Sequence, residues 1–136
     1  MDTASKILII GGMLALIHSF VLGFFFAKER EQAAQANRYL VMAHVGTLMG
    51  GTMLLALTVA VRYSNLSAGL ETFCAALLTA GMLALGTKDT MNWQNGVTDE
   101  FKQRPKLTPQ IGVVAVIAMS LGLLVLGVGV LSAVLA

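Results

Sequence analysis

The sequence contains two histidines, His18 and His44, and each lies inside a long run of apolar residues. Ionisable side chains are rare in such runs, and those that occur are candidates for a functional site. A structural role is the alternative, because a neutral imidazole can bond a carbonyl or a hydroxyl on a neighbouring helix. Each histidine therefore has a functional and a structural interpretation.

His44 lies on a helical face that also carries Thr47 and Gly51. At about 100° per residue, Gly51 points within about 20° of His44 two turns along, and Thr47 lies about 60° to one side. Because glycine has no side chain, we expect a bare wall here, on which a planar ligand bound by His44 could lie. Gly46 and Gly50 form a GxxxG pair on the opposite face, where we expect another helix to pack closely. The pattern predicts a cofactor-binding face formed by His44, Thr47 and Gly51.

Few metal centres can be bound by a single histidine. Zinc requires three or four His, Cys or carboxylate ligands, and no such group accompanies His44 in the sequence. Haem requires one axial histidine and a large apolar slot, and without a C-x-x-C-H motif it would be bound non-covalently, as haem b. For His18 we favour packing against a hydroxyl on a neighbouring helix. Paired ligation of one haem by His18 and His44, as in a b-type electron-transfer cytochrome, stays open.

A second group of candidate residues follows the third apolar run, in the segment DTMNWQN. Asn92 and Asn95 could orient a polar group of a ligand, Trp93 could stack against a ring, and Asp89 could accept a proton. The structural interpretations are that Trp93 anchors at the membrane interface, that Asn95 forms a turn with the following glycine, and that Asp89 pairs with Lys88 in water. We rank this group below His44.

The elements that carry these residues follow from composition. Of the 136 residues, 57% are apolar and 12% charged. Residues 7–27, 39–61, 72–87 and 107–136 contain no Asp, Glu, Lys or Arg, and roughly 20 such residues form a helix that crosses a bilayer. We predict an all-α integral membrane protein. Its single domain, residues 1–136, would be an antiparallel bundle of four transmembrane helices at about 7–27, 39–61, 68–86 and 110–134.

Charge and cysteine content narrow the function further. The net charge of +2 argues against a nucleic-acid-binding surface, and one cysteine allows no disulfide framework. Seven of the nine Lys and Arg residues fall in the loops after the first and third helices. By the excess of positive charge on the cytoplasmic side, both termini are predicted to lie outside. In the second of these loops we predict a turn at Asn95 and Gly96 and a short helix capped by Thr98 and ending at Arg104.

The stretch AHVG, Ala43 to Gly46, begins the second helix of a four-helix chain of this length. In this it resembles the hydroxylaminobenzene mutases, small bacterial membrane enzymes that are similar in turn to styrene oxide isomerases. The resemblance to the mutases covers the whole chain, and that to the isomerases covers the second helix. In the isomerase-like family the histidine of this motif is the axial ligand of a ferric haem b between subunits of a trimer. The resemblance implies that role for His44, a homotrimer, and a bacterial inner membrane.

The implied reaction converts an arylhydroxylamine, such as hydroxylaminobenzene, into 2-aminophenol by intramolecular hydroxyl transfer, with haem iron as the Lewis acid. Asn92 and Asn95 would then orient the N–OH group, and Asp89 would accept the ring proton. The chain departs from the isomerase pattern at Gly50, where the isomerases have asparagine, and in having no tyrosine in the third helix. A haem-free membrane subunit, in which both histidines only join helices, is a further alternative.

Overall fold

The computed structural model describes residues 1–136 and contains helices without strands. The five helices are α1 (Thr3–Gln32), α2 (Arg38–Arg62), α3 (Ala68–Gln94), α4 (Glu100–Gln103) and α5 (Thr108–Leu135). Four of them, all but α4, are long and apolar enough to cross a membrane. The predicted fold class is confirmed: the chain is an all-α, multi-pass membrane protein built on four transmembrane helices.

The helices extend past the apolar runs that predicted them. The end of α3 was expected near residue 86, but the helix continues to Gln94, and α1 continues to Gln32. A helix satisfies its own backbone hydrogen bonds, so it need not stop where the apolar run stops. Side-chain caps fix three of the starts, where Asp2, Asn37 and Ser67 accept backbone N–H groups of α1, α2 and α3. The polar end of α3, which carries the second group of candidates, is therefore helical.

The first three long helices contact one another, while α5 packs along α3 and barely touches α2. Glycines permit the closest approaches. A Cβ on Gly51 would lie 2.9 Å from the carbonyl oxygen of Gly12, and a Cβ on Gly12 would lie 3.0 Å from that of Gly51. At the α3–α5 contact, a Cβ on Gly81 would lie 2.8 Å from the carbonyl oxygen of Ala115. The bundle is a triangle of α1, α2 and α3 with α5 against its α3 side.

Different hydrogen bonds connect the helices at the two ends of the bundle. At one end, which holds both termini, the backbone N–H of Asn65 donates to the carbonyl of Gly129 at 3.4 Å. At the other, which we call the polar end, the indole N–H of Trp93 donates to Glu29 at 2.7 Å. The backbone N–H of Asn37 donates to the other oxygen of Glu29 at 2.8 Å. Glu29 therefore holds the end of α1, the start of α2 and the end of α3 together.

The segment between α3 and α5 follows its prediction with one correction. Asn95 caps α3, and Gly96 has φ +66°, in the left-handed region that favours glycine, so the turn is confirmed. The short helix α4 is capped by Asp99, whose carboxylate accepts two backbone N–H groups, and the prediction of Thr98 as its cap was wrong by one residue. Arg104, with φ 45°, ends it.

Candidate functional site

The imidazole of His44 lies in the contact between α2 and α1. Its Nδ1 is 2.8 Å from the carbonyl oxygen of Ser19 and 3.1 Å from the hydroxyl of the same residue. That hydroxyl donates to the carbonyl of His44 at 2.9 Å. A Cβ on Gly23 would lie 2.9 Å from Cε1 of His44, so the ring rests where Gly23 has no side chain. Phe26 stacks on the ring at 5.9 Å between centroids, with 20° between planes.

These contacts select one tautomer of His44. A carbonyl oxygen only accepts, so Nδ1 carries the proton and donates it to Ser19. In the neutral ring Nε2 then keeps its lone pair, and Nε2 makes no hydrogen bond to the protein and is not among the enclosed polar atoms. Histidines that bind metals are commonly fixed in this way, with the other ring N–H donating to a carbonyl or a carboxylate. His44 is therefore oriented to offer Nε2 to a ligand.

The surface expected beside His44 is absent, and this corrects the sequence interpretation. Gly51 is buried against α1, where its Cβ would meet Gly12 and Leu16. Thr47 is also buried, donates to the carbonyl of Ala43 at 2.6 Å, and places its methyl group against α3. Glycine permits a neighbouring helix to approach as readily as a ligand, and the helical wheel alone could not decide between the two. Within one chain, α1 fills the slot that Gly51 was expected to leave.

The two glycines of the GxxxG pair, Gly46 and Gly50, lie in different surroundings. Gly50 packs closely against Met82 of α3, as a helix-packing glycine should. Gly46, however, has no atom within 4 Å of the position of a Cβ, and it lines a cleft between α2 and α3. Only one of the two glycines therefore serves close helix packing.

His18 lies in a different interface from His44. Its Nε2 is 3.1 Å from the hydroxyl of Thr90 on α3. That hydroxyl donates to the carbonyl of Gly86 at 2.7 Å, so His18 must donate to Thr90. The ring lies beside Gly86, whose Cβ would be 3.6 Å from Nδ1 of His18. One histidine thus joins α1 to α3, and the other joins α2 to α1.

A charged cluster holds the polar end of α3. The ammonium of Lys88 is 3.0 Å from Asp89 and 3.1 Å from Glu100. The buried amide of Asn92 donates to Glu100 at 2.7 Å, and the backbone N–H of Glu100 donates to the hydroxyl of Tyr39 at 2.9 Å. The Lys88–Asp89 pair was expected in water, but its side chains are only 12% and 13% exposed. The loop that carries α4 covers them.

The predicted group at residues 92–95 does not form one surface. Asn92 is fully buried beneath α4, and Trp93 is held by Glu29 and lies 5.3 Å from the ring of Phe25. Asn95 is exposed at the end of the helix. Three side chains within four residues at the end of α3 thus face three environments, because successive helical positions are about 100° apart. Neither Asn92 nor Asn95 bonds to His44 or its neighbours.

Sequence reasoning missed Ser19 and Gly23, the two α1 residues that hold the His44 ring. Their spacing of four residues places them on one face of α1, but nothing in the sequence marks that face as the partner of His44. The structure has no group of three or more His, Cys, Asp or Glu side chains that could hold a metal ion. A centre that needs a single protein ligand would have Nε2 of His44 as its candidate ligand. No family model, curated protein or solved structure matched the chain.

Proposed function

We propose that the chain is a haem b membrane isomerase that converts hydroxylaminobenzene and related arylhydroxylamines into 2-aminophenols. The observation that supports haem binding is the unpaired Nε2 of His44, oriented by the bond from Nδ1 to Ser19. The choice of reaction rests on the resemblance of the AHVG stretch to the hydroxylaminobenzene mutases.

The surroundings of His44 suit a large apolar cofactor at the edge of the bundle. By helix geometry, Leu48 borders His44 on α2, and Phe20 and Phe24 border Gly23 on α1. All three are exposed to the membrane in the single chain, Phe20 by 75%. Since the expected slot at Gly51 is filled by α1, the cofactor would lie on this outer edge. A second copy would cover it, and the trimer implied by the resemblance provides one.

The protein has three tasks in this reaction. When bound, ferric haem supplies a Lewis acid that weakens the N–O bond of the substrate. His44 holds the cofactor through Nε2, and the carbonyl of Ser19 keeps the ring in the required tautomer. The apolar side chains of the edge exclude water, so that the hydroxyl leaving nitrogen reaches the ortho carbon. That carbon loses a proton and nitrogen gains one, so the conversion consumes no electrons or oxygen.

The three residues expected to act on the substrate receive no catalytic role in this proposal. Asn92 is enclosed and bonded to Glu100, Asn95 caps α3 at the surface, and Asp89 faces the cleft between α2 and α3. In the single chain none of them lies on the edge that carries His44. The base that removes the ring proton would then be a group from another copy.

The electron-transfer alternative is disfavoured by the two histidine environments. Paired ligation of one haem requires both imidazoles to point at one iron. His18 instead donates to Thr90 between α1 and α3, while His44 offers its free nitrogen between α1 and α2. We further propose that the protein resides in a bacterial inner membrane with its polar end in the cytoplasm and both termini outside, as the loop charges indicate.

The test is an isomerisation assay on the purified, haem-supplied protein and two matched variants. We expect His44→Ala to abolish the conversion of hydroxylaminobenzene into 2-aminophenol, because the cofactor has lost its only protein ligand. His18→Ala removes an imidazole of the same size from the same bundle and should retain activity. Equal losses in the two variants would contradict the proposal.

A further inference from the structure

The cleft between α2 and α3 lies on the side of α2 away from His44. Met42 and Gly46 are each two residues from His44, which places them about 200° around the helix. The cleft has a volume of about 310 Å³. Most of its wall is apolar or bare and is formed by Met42, Gly46, Met82, Leu85 and Gly86. Lys88 and Asp89 complete the lining at the polar end.

The carboxylate of Asp89 is exceptional in this cleft. The residue is only 9% exposed, and the one group that pairs with its carboxylate is the ammonium of Lys88. Oδ1 is enclosed and lies 3.0 Å from the ammonium of Lys88, which neutralises its charge. Oδ2 is not enclosed. Each carboxylate oxygen accepts hydrogen bonds, so Oδ2 is left to accept one from a donor within the cleft.

Lys88 supplies the complementary group. An ammonium has three N–H donors, and Lys88 directs two of them at carboxylates, Glu100 at 3.1 Å and Asp89 at 3.0 Å, so one is left. The polar end of the cleft therefore presents a free acceptor, Oδ2 of Asp89, beside a free N–H donor of Lys88. A hydroxyl group matches both, because its hydrogen donates while its oxygen accepts. An amine cation would satisfy only Asp89.

We propose that this cleft binds a small aromatic molecule carrying a hydroxyl group, which donates to Asp89 and accepts from Lys88. A cavity of roughly 150 Å³ is enough for benzene, so the volume of about 310 Å³ holds one ring with its substituents. Methionine sulfur packs favourably against aromatic rings, and Met42 and Met82 both line the wall. This inference rests on the proposed function in that arylhydroxylamines and 2-aminophenols belong to the ligand class.

The probe is 4-fluorophenol, titrated into the full-length protein in detergent and followed by fluorine NMR. We expect a saturable shift that empty micelles do not produce. 4-Fluorotoluene has a methyl group in place of the hydroxyl and should bind about tenfold more weakly or worse, because hydrogen bonds to charged groups are lost.

Gly46→Leu tests the location of the binding site. A Cβ at Gly46 meets nothing within 4 Å, so the leucine side chain starts in open space at the wall of the cleft, occupies the cleft and should abolish the saturable shift. Gly127→Leu is the matched control, since a Cβ on Gly127 of α5 also meets nothing within 4 Å, and binding should be unchanged. Asp89→Asn removes the charge at constant shape and should weaken binding by about tenfold.

Three results would overturn this inference: full binding by Gly46→Leu, equal binding of the two probes, or a shift no greater than in empty micelles. His44→Ala should bind 4-fluorophenol as the wild type does. Loss of binding in His44→Ala, with retention in Gly46→Leu, would place the ligand at His44 and refute only the cleft. A protein without haem or isomerase activity that still binds the probe saturably would refute the proposed function and leave the cleft site standing.

Discussion

Gly23→Ala should misplace the imidazole of His44 and destabilise the bundle. The new methyl group would lie 2.9 Å from Cε1 and 3.3 Å from Nδ1 of His44. Ordinary carbon contacts need roughly 3.5 to 4 Å, so the ring must move by more than half an ångström. The hydrogen bond from Nδ1 to Ser19, at 2.8 Å, cannot survive that movement unchanged.

The change in the free energy of unfolding caused by Gly23→Ala is the sum of two destabilising effects and one stabilising effect. Crowding a packed site costs about 1–3 kcal/mol, and losing the hydrogen bond costs about 1 kcal/mol. Replacing glycine by alanine within a helix stabilises the helix by about 1 kcal/mol. The free energy of unfolding should therefore fall by about 2 kcal/mol. Gly127→Ala, where a Cβ meets nothing within 4 Å, isolates the helix effect and should stabilise by up to about 1 kcal/mol.

The assay is reversible unfolding in mixed micelles, followed by circular dichroism as the fraction of denaturing detergent is raised. Gly23→Ala should unfold earlier than the wild type, and Gly127→Ala should unfold no earlier. If the two variants unfolded alike, the ring of His44 would not rest against Gly23, and the orientation that we derive for Nε2 would fail with it.

Two further predictions concern the polar end. Glu29→Ala removes the acceptor that joins three helix ends and should lower the free energy of unfolding by about 1–2 kcal/mol. Glu29→Ala should also shift the fluorescence emission of Trp93, the only tryptophan. The control is Glu31→Ala, at an exposed position, which should change the free energy of unfolding by less than about 0.5 kcal/mol and leave the emission unchanged. Glu100→Ala leaves the largely buried ammonium of Lys88 with one partner fewer and the amide of Asn92 without its acceptor. We therefore expect the free energy of unfolding to fall by about 3 kcal/mol and trypsin to cleave the loop after α3 faster. Wild-type cleavage rates in this variant would contradict the bridging role of Glu100.

The number of transmembrane helices and their antiparallel order could be predicted from the sequence because both depend on length and polarity. A run such as residues 39–61 has no charge and spans a bilayer. The end of α3 could not be predicted in this way. Lys88 and Asp89 look like residues of a solvated loop, and only the distant Glu100, which covers them, makes a buried helical position tolerable.

The site was predictable in part for a similar reason. His44 could be singled out because an isolated imidazole in an apolar run is costly wherever it points. Its surroundings depend on which helix faces it, and neither Gly51 nor Gly23 carries that information. Gly51 was expected to face a ligand and instead packs on Gly12, while the position that receives the ring is Gly23 of α1. The periodicity of the sequence identifies which residues share a helical face, but whether that face binds a ligand or another helix depends on what packs against it.

The most direct measurement is the absorption spectrum of the purified protein, produced with ample haem, beside those of His44→Ala and His18→Ala. We predict a Soret band in the wild type and in His18→Ala, and its loss in His44→Ala. A wild-type protein without haem, or a band that persists unchanged in His44→Ala, would contradict the assignment of Nε2 of His44 as the iron ligand.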